Sequence, residues 1–84
     1  MSSMPLMHLA MVSPGETVRL VSVEGGLGIR KRLADLGLNI GESLSVIQSD
    51  SQGPMILAVK ESRLALGRGV AHKILVEAAE PKSL

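Results

Sequence analysis

No position in this 84-residue chain holds Phe, Tyr, Trp or Cys, and these four absences constrain the fold more than any motif does. Its core must be built from the 26 Ile, Leu and Val residues, helped by Ala and Met. Large aliphatic side chains gain roughly 1.5–3 kcal/mol each on full burial, against about 1.5 kcal/mol of conformational entropy per ordered residue. A chain of this length supports one domain with a modest margin. The same absences exclude chemistry: no disulfide framework, thiolate zinc site, iron–sulfur cluster or thiol nucleophile is available. There is also no aromatic platform for stacking bases and no aromatic groove for a polyproline ligand.

Nine Lys/Arg against eight Asp/Glu leave a formal net charge of +1, too even for a general binder of polyanions. Nucleic acid is therefore not an expected partner. No apolar run approaches the roughly 18–20 residues of a membrane span. The opening MSSMPLMHLAMV has neither the basic lead nor the cleavage pattern of a secretory signal. A cytoplasmic location without direct membrane insertion is the expectation.

The chain divides into a lead segment at 1–13, a barrel region at about 14–77 and a tail at 78–84. Ser13-Pro14-Gly15-Glu16 marks the first turn. Thr17 to Glu24 reads as a strand, and its apolar residues change parity between Leu20 and Val21, which predicts a bulge near Leu20. After Gly25-Gly26-Leu27-Gly28, the spacing of Ile29, Leu33 and Leu36 predicts a helix of about ten residues. Gly37 is placed to end that helix in a left-handed conformation, with Leu38 folding back onto Leu33. Leu44, Val46 and Gln48, then Met55 to Lys60, form a hairpin around the loop at Asp50 to Pro54. Glu61 to Gly69 reads as a single helical turn, and Val70 to Glu77 as the last strand, carrying His72 beside Ile74 and Val76. Short strands with turns about every ten residues and one early helix predict a mostly β fold, a small closed or half-closed barrel.

Few side chains invite chemistry. Gly26 and Gly28 start a dinucleotide fingerprint, but Lys31 stands where its third glycine belongs. Four of the five Met lie in the first eleven residues, where pliable thioethers suit a segment folded over an open barrel end better than a Cu(I) site. Fe(II) would need imidazole and carboxylate ligands, and neither His8 nor His72 has a partner at ligand spacing. No nucleophile stands with a base, so an enzyme is not expected. Arg30, Lys31 and Arg32 lie in the first turns of the helix, where its dipole disfavours cations. They read either as a docking spot for an acidic partner or as a solvated face with internal pairs such as Lys31–Asp35. Arg63 and Arg68 form a second basic area. Open barrel edges leave room for self-association.

Arg32-Leu33-Ala34-Asp35-Leu36-Gly37-Leu38-Asn39-Ile40-Gly41 resembles the ferrous iron transport protein A family. Pro5-Leu6 with Leu9, Pro14-Gly15-Glu16, and Gly53-Pro54 with Ala65-Leu66-Gly67-Arg68-Gly69 extend the resemblance over about residues 5 to 77. It implies an SH3-like barrel with a helix in its first connection. It also implies an accessory or regulatory role in ferrous iron uptake, by binding the cytoplasmic G domain of a large membrane ferrous iron permease. A similar barrel closes iron-dependent repressors, so a metal- or anion-sensing module is the alternative. Beside the helix stop, Arg30, Lys31, Arg32 and Asn39 are the expected partner-binding residues, with Arg63 and Arg68 second.

Overall fold

The computed structural model describes residues 5–50 and 52–79. Six strands, β1 (Met7–His8), β2 (Thr17–Val23), β3 (Ser43–Ser49), β4 (Met55–Val59), β5 (Ser62–Leu66) and β6 (Ile74–Ala78), form one antiparallel sheet in the order β1-β6-β2-β3-β4-β5. The sheet curls into a small barrel, with helix α1 (Leu27–Asp35) between β2 and β3 and a one-turn helix α2 (Arg68–Ala71) before β6. Alternation decides what each strand contributes: Val18 and Leu20, Leu44 and Val46, Met55, Leu57 and Val59, and Ile74 and Val76 all point inward and are buried. Among the described residues the buried set is wholly hydrophobic and contains no polar or charged side chain.

Two bulges bend the sheet. On β2 the pairing with β6 slips between Leu20 and Ser22, leaving Val21 as the extra residue, where the parity change predicts it. A second slip between Val46 and Gln48 on β3 leaves Ile47 extra and turned outward. Hence Gln48, expected to share the face of Leu44 and Val46, is exposed.

The lead segment differs from its expected form. It adds β1 to the sheet and follows it with a 3-10 turn at Leu9–Met11, burying Leu9, Ala10 and Val12. Met7 and Met11 stay exposed, and Met4 lies outside the described residues. Stiff aliphatic side chains close this part of the barrel, and the buried methionine is Met55, in β4.

Residues 61–69 also depart from the expected helical turn. Ser62 to Leu66 pair with β4 from Val59↔Ser62 to Met55↔Leu66, leaving a two-residue connection at Lys60-Glu61. Lys60 takes φ 55°, the one positive value at a non-glycine residue among those described, so no glycine announced this hairpin. The helical turn comes later, at α2, which takes Val70 and Ala71 out of the expected last strand and makes His72 an exposed C-cap. Ala78, expected in the tail, is the last residue of β6, and the Ala79 N–H donates to the Thr17 C=O at 3.1 Å; the residues beyond Ala79 lie outside the described ones. β5 borders the sheet and has no strand on its outer side among the described residues.

Candidate functional site

Helix α1 is fastened at both ends by backbone geometry. Its N-cap, Gly26, sits at φ 97°, ψ −173°, a conformation essentially reserved for glycine. At the other end Gly37 takes φ 93°, the Gly37 N–H donates to the Ala34 C=O at 2.9 Å, and the Leu38 N–H donates to the Leu33 C=O at 2.8 Å. That bond pair, with Leu38 buried, is the ending the sequence predicts. The turn that follows is pinned to the β2 bulge: the Gly41 N–H donates to the Leu20 C=O at 2.8 Å, and the Leu20 N–H to the Glu42 C=O at 2.9 Å. Asn39 and Ile40 are thereby held beside α1.

The helix presents two faces. Leu33 and the half-buried Ile29 pack on the barrel core. Leu36 falls on the C-cap, where the helix has already ended, and is 44% exposed instead of sharing that face. Leu27, Arg30, Lys31 and Ala34 recur at i, i+3, i+4 and i+7 and line one wall of an open groove of about 420 Å³. Val23, Asn39 and Ile40 form the other wall.

Of the six expected partner-binding residues, the groove gathers Arg30, Lys31 and Asn39. Arg32 is exposed on α1 outside the groove lining, and Arg63 is exposed on β5. Arg68 is engaged within the chain: its Nε donates to the Asp50 C=O at 2.8 Å, Nη2 to Ser49 Oγ at 2.8 Å and Nη1 to the Ala10 C=O at 3.2 Å. The groove also contains what the sequence reading passed over, Leu27 at 79% exposure and Ile40 at 53%. The seven-residue step from Leu27 to Ala34, off the Ile29–Leu33 face, is the signal that marks this wall.

The electrostatics of α1 also differ from expectation. The helix begins at Leu27, before the apolar repeat, so Arg30 closes the first turn and Arg32 belongs to the last, where the dipole favours a cation. The i+4 pair Lys31–Asp35 does not form. Among the described residues no carboxylate lies within 4.0 Å of Arg30, Lys31 or Arg32. Glu24 faces His8 at 3.5 Å instead, and Glu42 faces Lys60 at 3.7 Å. Among the described residues no group of three His, Asp or Glu side chains is arranged to hold a metal ion.

The model of the FeoA domain matches residues 7–78. The chain belongs to the FeoA domain family. A protein of Methanocaldococcus jannaschii named "Putative Fe(2+) transport protein A" is 44% identical over 72 residues, covering 86% of this chain and 87% of its own. The crystal structure of an iron uptake regulatory protein, FeoA, superposes with a TM-score of 0.84 at 31% identity, over 89% of this chain and 100% of that one. The fold is thus the SH3-like barrel of FeoA proteins. A manganese-dependent transcriptional repressor superposes with a TM-score of 0.82 at 19% identity, over 93% of this chain and 44% of its own, a likeness of fold. No described helix of this FeoA-family chain is long and apolar enough to cross a membrane.

Two glycines separated by one residue should respond in opposite directions. A Cβ on Gly26 meets nothing within 4 Å, so the cost of Gly26→Ala is torsional, about 1–3 kcal/mol. Gly28 is helical and equally uncrowded, so Gly28→Ala should stabilise by about 0.5 kcal/mol. Urea midpoints followed by far-UV circular dichroism check both signs.

Proposed function

We propose that this chain is a small cytoplasmic accessory protein of ferrous iron uptake, acting by protein–protein contact with a membrane ferrous iron permease that carries a G-protein domain. Its contact surface is the α1 groove. The observation that carries this reading is the meeting, in one groove, of exposed Leu27 and Ile40 with two cations that have no carboxylate partner among the described residues. Apolar anchors rimmed by charge are what protein interfaces use for affinity and orientation. The lining of Val, Leu, Arg, Lys, Ala, Asn and Ile provides no nucleophile paired with a base, which suits binding and not turnover. Membership of the FeoA family and the Fe(2+) transport name of the archaeal relative support the iron context.

The test is binding to the permease's cytoplasmic G domain by calorimetry or pull-down. Arg30→Glu with Lys31→Glu should weaken binding about tenfold or more, because it places like charges against an acidic surface, with the far-UV spectrum unchanged. Arg63→Glu should leave the affinity within about twofold, as expected of a charge outside the contact. Full affinity in the double variant overturns the groove assignment. Equal losses from Arg63→Glu would move the contact to the β5 edge.

A further inference from the structure

We propose that the groove accepts a short acidic segment with one large apolar anchor, the anchor seated between Leu27 and Ile40 and its flanking carboxylates paired with Arg30 and Lys31. This rests on the groove being a contact surface, and it specifies the chemistry of what enters. The volume of about 420 Å³ is near the lower end of the roughly 300–1,000 Å³ typical of ligand pockets, which suits one or two side chains of a segment and not a packed domain face. The walls at the anchor position are apolar, from Val23, Leu27, Ala34 and Ile40. Arg30 and Lys31 also line the groove and are exposed; side chains of this kind cover apolar surface with their aliphatic stems while their charged heads stay in water.

Charge complementarity selects an acidic occupant. Among the described residues no carboxylate lies within 4.0 Å of Arg30 or Lys31: Glu24 lies 3.5 Å from His8, Glu42 lies 3.7 Å from Lys60, and Asp35 is outside the lining. Asn39, exposed on the opposite wall, offers both an amide donor and an acceptor for the backbone of an incoming segment. A nucleic acid fits poorly, since the groove has no aromatic residue on which a base could stack.

The aromatic-free sequence makes a clean assay. A synthetic peptide with a single Trp flanked on both sides by Glu is the sole aromatic fluorophore in a mixture with this chain. Titration should give a saturable blue shift of the Trp emission, and the same peptide with Lys in place of Glu should give none over that range. Arg30→Glu with Lys31→Glu should reverse the preference, losing the Glu-flanked peptide by about tenfold or more and gaining the Lys-flanked one. Leu27→Ser should abolish the shift with the far-UV spectrum intact. Absence of a shift, equal shifts for both peptides, or a shift that survives Leu27→Ser would each overturn the proposal. Loss of the peptide as the chain's own concentration rises would place a second copy in the groove instead. If the peptide binds and the permease domain does not, the permease reading falls and this one stands; the reverse result removes this one alone.

Discussion

Leu9→Ala should remove about 2–5 kcal/mol of stability, the cost of truncating a fully buried Leu in a core that relaxes only partly. Leu9 is 0% exposed, although it lies in the lead segment ahead of the first long strand. Its position is fixed by the 3-10 turn, in which the Val12 N–H donates to the Leu9 C=O at 3.0 Å, and by β1, whose Met7 and His8 pair with Val76 and Leu75 of β6. Domains of this kind have roughly 0.05–0.15 kcal/mol of stability per residue, so one such cavity consumes a large share of the total. Met11→Ala is the paired control: at 70% exposure it should change stability by less than about 0.5 kcal/mol. Urea denaturation read by far-UV circular dichroism compares the two. A larger loss for Met11 than for Leu9 would mean that thioethers, after all, seat the lead segment.

Arg68→Ala should cost about 2–3 kcal/mol, because one half-buried guanidinium supplies three hydrogen bonds to two segments distant in sequence. It joins the 3-10 turn, through the Ala10 C=O, to the end of β3 and the residue beyond it, through Ser49 Oγ and the Asp50 C=O. Arg68→Lys should recover less than half of the loss, since a single ammonium lacks the planar fork that spans three acceptors. The distinguishing readout is amide hydrogen exchange: Val12, whose N–H is held by the 3-10 turn, should exchange faster in Arg68→Ala than in a surface variant such as Arg63→Ala. A urea midpoint shifted by no more than that of Arg63→Ala, with Val12 protection unchanged, would show that the seam closes without Arg68.

Legibility in the sequence followed the range of each signal. The helix stop at Leu36-Gly37-Leu38, the bulge on β2 and the early turn at Pro14-Gly15 are encoded within a few residues, by left-handed glycine geometry or by a change of parity, and each appears in the structure. The β4–β5 hairpin was obscured because Lys60 occupies a positive φ without the usual glycine or asparagine, and because Arg63 and Arg68 bracket an apolar run short enough to suggest one helical turn. Within the candidate site, Arg30, Lys31 and Asn39 stood out as unexplained polar groups beside the helix stop. Leu27 and Ile40 did not, since an apolar residue in a sequence announces burial, and only the folded chain shows which ones remain in water.

The sequence by itself determined a wholly aliphatic core, free of thiol and aromatic chemistry, with a helix of known ending and a motif shared with the FeoA family. These follow from composition and from backbone preferences that act over a turn or less. Tertiary structure alone decided which exposed cations keep their charge available. Arg68 finds acceptors 18, 19 and 58 residues away and becomes a clasp, while Arg30 and Lys31 find no carboxylate within 4.0 Å among the described residues and line a groove. Whether a charge is structural or free depends on distances set by strand order and bulges across the barrel, and no local pattern in the chain carries those distances.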